Sequence, residues 1–249
     1  RYNRATVYAE TMDSDSYAQV LRMCNTERLK DSRIRMMPDT HASAGCTVGT
    51  SLTYDDFVNP SFVGDDIGCG MQVYELAEKE IDFAELDSVI REKIPSGPKV
   101  FEHAGSGIKK IPLKSLHCFD FIRYDTVKKS FGTLGGGNHF IELQEDDNGY
   151  LAVMLHSGSR HFGKSVCDYF HAKARELNQR WYSQVPDEYR LAFLPVDTKE
   201  GAHYLNWMQL SMDFAKENRE KMMLAVKAIL EKWIGKYTDL TLEFSGDIN

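Results

Sequence analysis

A carboxylate and a thiolate stand three residues apart at Asp66 and Cys69, within Val63-Gly64-Asp65-Asp66-Ile67-Gly68-Cys69-Gly70-Met71. Side by side these groups repel unless a cation lies between them. Glycines at 64, 68 and 70 let the main chain turn sharply enough for both to face that cation. Two later segments, Gly135-Gly136-Gly137-Asn138-His139 and His156-Ser157-Gly158-Ser159-Arg160, each set an imidazole beside glycines. The fold is therefore expected to bring three glycine-bearing loops to one place.

The rest of the chain is that of an ordinary globular protein. Its 249 residues suffice for one large domain or two small ones, with 42% apolar and 27% charged residues. No apolar run reaches the roughly 18 residues of a membrane span, and the N-terminus has no signal-peptide stretch. The five cysteines, at 24, 46, 69, 118 and 167, are scattered and odd in number, which argues for free thiols in a reducing, cytoplasmic compartment. A net charge of −7 argues against coating nucleic acid by bulk charge. Local basic clusters remain, at Lys109, Lys110 and Lys114, at Arg123, Lys128 and Lys129, and at Arg160, His161 and Lys164. Only the last adjoins a candidate ligand.

Short strands are expected over 33–37 and 46–53, flanking a polar turn at 38–45, and again over 71–76. A helix beginning near Asp82 carries Phe83, Leu86, Val89, Ile90 and Ile94 and is ended by Pro95-Ser96-Gly97-Pro98. Residues 98–115 read as a long mobile loop, and 140–144 and 150–155 as strands joined through Asn148-Gly149. Val166, Phe170, Ala174, Leu177 and Trp181 form one helical stripe. A longer helix over 201–234 carries Leu205, Met208, Met212, Ala215, Met222, Val226, Ile229 and Trp233, interrupted by Arg219. Leu240, Leu242 and Phe244 suggest a last strand. The order implies an α+β protein: a single large domain with a β-sheet core carrying the polar loops and long helices outside.

Taken one at a time, Asp66 could cap a turn, Cys69 could be a small buried hydrophobe, and His156 could be a hydrogen-bonded core histidine. Together, Asp66, Cys69, His139 and His156 offer one carboxylate, one thiolate and two imidazoles. That mixed set suits a borderline divalent ion better than a structural zinc site, which favours paired cysteines. A thiolate can also bridge two ions, and two-metal sites favour phosphoryl chemistry. Arg160 and the hydroxyls of Ser157 and Ser159 would add donors for phosphate or RNA oxygens.

Four segments in order carry a resemblance: Met37-Pro38-Asp39-Thr40-His41, the 63–71 segment, Gly135-Gly136-Gly137-Asn138-His139-Phe140-Ile141-Glu142, and Leu155-His156-Ser157-Gly158-Ser159-Arg160. They resemble the signatures of the RtcB family, GTP- and manganese-dependent RNA ligases of tRNA splicing and RNA repair. Asn206, Phe214-Ala215 and Asn218-Arg219 of the long helix are also similar to that family. The resemblance implies joining of an RNA 3′-phosphate or 2′,3′-cyclic phosphate end to a 5′-hydroxyl end through a guanylylated histidine. It implies two Mn²⁺ ions: Asp66, Cys69 and His139 would hold one, and Cys69 would bridge to a second held by His156. Asn138, His139, Phe140, Ile141 and Glu142 would contact GTP, RNA ends would be the partners, and an activating protein could assist.

The resemblance implies that the family's remaining metal-binding histidine and its guanylylated histidine would fall beyond Asn249, so the expectation is one catalytic domain over 1–249 lacking the C-terminal portion, the other reading being a member that has lost its nucleophile. Asp65 departs from the family's small apolar residue, and His41-Ala42-Ser43-Ala44-Gly45 is a loose version of its glycine-bearing loop. A metal-dependent phosphoesterase and a non-catalytic RNA-end-binding paralogue stand as alternatives.

Overall fold

A computed structural model of the chain describes residues 2–76, 82–104, 120–183, 189–234 and 246–247, with side chains outside that description at 231–234 and 246–247. The described chain gathers into two compact units, one of residues 1–65, 165–208 and 249, the other of 66–164 and 209–248.

The first unit contains strands β1 (Ala5–Val7), β2 (Ile34–His41) and β3 (Val48–Leu52) in one sheet, with β1 parallel and β3 antiparallel to β2. Helix α1 (Ser14–Cys24) is capped by Asp13, whose carboxylate accepts from the Asp15 and Ser16 amides at 2.9 Å each. Val20, Met23 and Cys24 of α1 share a core with Leu29, Ile34, Met36, Cys46, Phe57 and Phe193. Strand β4 (Phe57–Val58), which pairs with β8 (Leu194–Pro195), and the short helix α2 (Pro60–Val63) complete its first segment. The sequence reading placed a turn at 38–45, but β2 runs on through Pro38-Asp39-Thr40-His41. Its register against β3 shifts between Met36 and His41, and at such an irregularity a proline can sit in a strand without a ladder bond.

The second unit holds the four-stranded sheet β6-β7-β5-β9, made of β5 (Gly70–Glu75), β6 (Phe140–Glu145), β7 (Leu151–Ser157) and β9 (Gly246–Asp247). Every neighbouring pair is antiparallel. Strand alternation sends Leu151, Val153 and Leu155 of β7 into one core with Tyr74 and with Met222, Val226, Ile229 and Leu230 of helix α6 (Lys199–Ile234). Helix α3 (Phe83–Lys93), capped by Asp82 and stopped before Pro95, adds Leu86, and Ile94 follows it into that core. Phe83, expected on its inner face, is exposed instead. Helix α4 spans Tyr124–Ser130.

Helix α5 (Arg160–Arg180) starts directly after the second histidine loop and, like α6, passes from one unit's residues into the other's. Its stripe Val166, Phe170, Ala174 and Leu177 is buried, whereas Trp181 lies past the helix end and is exposed. The Lys109–Lys110–Lys114 cluster, most of the 98–115 loop and the strand expected at 240–244 lie outside the described residues. The architecture is α+β, with a sheet that carries the histidine and cysteine loops at one end.

Candidate metal centre

Asp66 and Cys69 occupy a turn closed by the Cys69 amide donating to the Asp66 carbonyl at 3.0 Å. This brings the two side chains within reach of each other just before β5 begins. The β7 ladder then fixes His156. It pairs with Met71 of β5 on one side and with Phe140 of β6 on the other, so His139 arrives at the start of β6 as its neighbour. The result is a convergence across 87 residues of sequence: Cys69 Sγ lies 3.3 Å from His156 Nε2 and 3.6 Å from His139 Nε2. His139 Nε2 in turn lies 2.7 Å from Asp66 Oδ2.

Both rings are oriented from behind. His139 Nδ1 faces the Leu134 carbonyl at 2.8 Å, and His156 Nδ1 faces the Gly70 carbonyl at 3.2 Å. A carbonyl can only accept, so each Nδ1 carries a proton; at His156 this leaves Nε2 to present its lone pair toward the sulfur, whereas His139 Nε2 donates to Asp66 and would give up that proton to a metal ion. Asp66 is held by Ser159, whose amide and hydroxyl donate to Oδ1 at 3.0 and 3.4 Å.

This donor set fits a metal ion. Sulfur and nitrogen on one ion, at about 2.3 and 2.1 Å from it, stand about 3.1 Å apart at a right angle and about 3.6 Å apart at a tetrahedral angle. Both observed separations fall in that interval, and Cys69, His139 and His156 form a group with all ligand atoms within 4.8 Å. The protonation states point the same way. Burial, then the neighbouring Asp66 charge, push the Cys69 thiol far above its ordinary value. Without a cation the thiolate is strongly disfavoured here. Burial lowers His156, with the adjacent His139 adding to the effect, which keeps the imidazole neutral and able to ligate. Burial opposes the Asp66 charge, but hydrogen bonding and attraction from His139, with smaller help from Cys69 and Arg160, hold its carboxyl below its ordinary value.

Two glycines explain their motifs by what lies against them. A side chain on Gly158 would collide with the Asp66 carboxylate, and one on Gly135 would collide with the Arg160 guanidinium. Arg160, in the left-handed region at φ 58°, reaches back from the start of α5 to Thr133 Oγ1 and the Gly97 carbonyl, both at 3.3 Å. The glycine triplet thus seats an arginine. Pro95-Ser96-Gly97, expected only to end a helix, anchors the triplet through Gly97 N to Gly135 O at 2.7 Å and Leu134 N to Pro95 O at 2.9 Å.

The expected phosphate-binding serines need correction. Ser157 is fully buried, donates to the Leu134 carbonyl at 2.8 Å and accepts from Asn218. Ser159 is equally buried and its hydroxyl is turned onto Asp66. Both hydroxyls are thus engaged within the protein; successive strand residues point to opposite faces, so His156 and Ser157 cannot share one. The same rule divides the expected nucleotide residues. Phe140 and Glu142 lie on the His156 face, with the Phe140 ring 5.4 Å from that imidazole. Ile141 lies on the other face against the core. Asn138 and Glu142 are exposed, and Glu142 accepts from Gln144 at 2.7 Å.

Sequence reasoning missed Asn218 and Arg219 as parts of the site. Both are buried in α6, and together they contact all three ligand loops. Their signal was a polar pair inside an apolar helical stripe.

Fold and site together define an α+β protein with a Cys/His/His group able to hold a metal ion. The profile of the family described as tRNA-splicing ligase RtcB matches residues 19–117 and 122–249. The chain belongs to the RtcB family. It is 30% identical over 238 residues to the RNA-splicing ligase RtcB of Escherichia coli K12, covering 84% of this chain and 57% of that protein. It is 26% identical over 295 residues to the tRNA-splicing ligase RtcB of Archaeoglobus fulgidus, covering 96% of this chain and 60% of that protein. The chain thus spans less than two thirds of the relatives it matches. Among the described residues no helix is long and apolar enough to cross a membrane.

Proposed function

We propose that this chain is the metal-binding part of a GTP-dependent RNA ligase that joins a 3′-phosphate or 2′,3′-cyclic phosphate RNA end to a 5′-hydroxyl end. The observation that carries the reading is the approach of one sulfur to two imidazole nitrogens, 3.3 and 3.6 Å away, within a family whose relatives are named as splicing ligases. Asp66, Cys69 and His139 would hold one Mn²⁺, and Cys69 would be shared with a second ion held by His156. The position of Asp66 supports that division, because its carboxylate bonds to His139. Bound cations would supply positive charge against phosphoryl oxygens.

The chain's own groups prepare the site. Leu134 and Gly70 carbonyls orient the imidazoles through Nδ1, and Ser159 fixes the Asp66 carboxylate. Arg160 places a fixed cation near Asp66, where an incoming phosphate would meet it. Asn138, His139, Phe140 and Glu142 would line the GTP side, with Ile141 offering only its backbone. In this reading residues 1–249 belong to one catalytic domain, the guanylylated histidine is not among the residues assigned here, and the described free thiols at 24, 46, 69 and 167 suit the cytoplasm.

The test uses the full-length protein with Mn²⁺ and GTP radiolabelled at the α-phosphate, followed by RNA with 3′-phosphate and 5′-hydroxyl ends. A covalent protein–GMP adduct that is discharged into joined RNA is the expected result. Phosphate release without an adduct would identify a phosphoesterase, and RNA-end binding without turnover a non-catalytic paralogue; either result overturns the ligase. Turnover that needs a second protein would identify the activating partner.

A further inference from the structure

The three ligand loops meet on one turn of α6. At the end of the β5–β7 ladder the last pair is Gly70 and Ser157, and beyond it the strands part to form the ligand loops. Arg219 Nη1 spans that point, donating to the Gly68 carbonyl at 2.6 Å and the Ser157 carbonyl at 2.9 Å. One nitrogen with two hydrogens thus joins the residue before Cys69 to the residue after His156. The guanidinium fits because Gly70 has no side chain; a Cβ there would lie 3.1 Å from its central carbon.

Asn218, about 100° around the helix, does the same for the third loop. Its Oδ1 accepts from the Gly132 amide at 2.6 Å. Its Nδ2 faces the Thr133 carbonyl at 3.2 Å, and Ser157 Oγ and the Gly158 carbonyl at 3.3 Å. Asn218 is fully buried and Arg219 nearly so. A buried asparagine and arginine in an apolar helix face cost desolvation that core packing alone would not require. These side-chain bonds run to the ligand-bearing loops.

We infer that Asn218 and Arg219 are a positioning pair that sets the separations of the metal ligands. Arg219 fixes Cys69 against His156, and Asn218 fixes the His139 loop against the His156 loop. The inference rests on the metal reading above. Each holds the loops that carry the ligand atoms, Arg219 through the Gly68 and Ser157 carbonyls and Asn218 through Gly132, Thr133 and Gly158.

The test is Co²⁺ titration of the full chain, reading affinity and the thiolate-to-cobalt absorption band, beside denaturant unfolding of the metal-free protein. Arg219→Met should weaken the ion shared by Cys69 and His156 by about tenfold or more, the usual effect of removing a group that orients metal ligands, and should shift the band. Unchanged affinity and band in folded Arg219→Met, with only the unfolding midpoint lowered, would reduce Arg219 to a packing role and overturn the inference. Where Arg219→Met fails to fold, Gly70→Ala keeps the guanidinium but pushes it by a few tenths of an ångström, and an intermediate loss of affinity is expected; parental affinity overturns the inference there too. Cys69→Ala separates the two readings. If it leaves Co²⁺ binding intact the metal centre itself is wrong, whereas if it abolishes the band while Arg219→Met changes nothing, the positioning pair alone is wrong.

Discussion

Gly158→Ala tests the site through its tightest contact. The backbone at 158 does not require a glycine by its φ, so the cost is set by what the new methyl meets. It would fall on the Asp66 carboxylate, closer than any non-bonded carbon can sit, so Asp66 must rotate away. Rotation breaks its bonds from Ser159 at 3.0 and 3.4 Å and from His139 at 2.7 Å. Charged hydrogen bonds contribute roughly 1.5–3 kcal/mol each, and overpacking costs about 1–3 kcal/mol. Asp66 is about one-third exposed and water replaces part of what is lost, leaving a net destabilisation of about 2–4 kcal/mol. Gly136→Ala is the matched control, since a Cβ there meets only the Gly97 Cα at 3.5 Å and φ is not positive. That change should lie within about 0.5 kcal/mol of the parent, as open surface positions do. Urea unfolding of the metal-free chain measures both, and Mn²⁺ titration of the folded variants should show a loss at 158 only. Equal stability and equal Mn²⁺ affinity for the two variants would refute the contact between Gly158 and Asp66 as the reason for that glycine.

Cys69→Ala should lower bound Mn²⁺ far more than Cys24→Ala, because Cys24 is buried in the other unit's core; equal losses, measured by metal analysis after gel filtration, would remove Cys69 from the ligand set. Because the Cys69 thiol titrates far above its ordinary value while His156 is already neutral at pH 7, metal binding must expel the thiol proton. Mn²⁺ affinity should therefore rise about tenfold per pH unit between pH 7 and 9, and a flat profile would exclude a thiolate ligand. Asp66 has a folded value below its ordinary 3.8, so its stabilisation is complete above that pH and is lost as pH falls through the folded value; Asp66→Asn should flatten that part of the acid limb, followed by circular dichroism. Glu142→Ala should weaken GTP binding by calorimetry with little change in stability. Ile141→Val, half-buried on the opposite face, should cost about 0.5–1.5 kcal/mol and leave GTP affinity alone.

The four side chains that converge could be picked from the chain because each carries its own local mark. Asp66 and Cys69 share one turn, His156 ends an apolar strand, and His139 follows a glycine triplet. Strand alternation, equally local, assigns Ser157 and Ile141 to the core face; grouping whole motifs as one contact surface overrode it. The course of β2 through Pro38 was not legible because the turn chemistry of 38–45 is real but is absorbed by a register shift that only the β3 partner creates. Helix α1 was legible, with Asp13 as its cap and Val20, Met23 and Cys24 on one face, but a first half read as short strands and loops passed over it.

The α6 stripe shows a different limit. Reading its apolar residues gave a line through Leu205, Met208 and Met212, all half-buried, and made Arg219 an interruption. The second half of the line, Ala215, Met222, Val226 and Ile229, is buried as read, but in the first half the buried positions lie one residue earlier, at Tyr204, Trp207 and Ser211, and Asn218 and Arg219 are buried where the helix meets loops. Loop carbonyls and amides need donors and acceptors that an apolar stripe cannot supply, so the helix departs from its apolar pattern where it faces them. The same cause lies behind the glycines. Gly135 and Gly158 read only as glycines beside an imidazole, yet each is the footprint of a side chain arriving from elsewhere, Arg160 for one and Asp66 for the other. A glycine in sequence marks the vacancy but not its occupant, which here lies 25 or 92 residues away. The pairing of glycine with occupant is therefore a tertiary fact, and it is the part of this site that only coordinates supply.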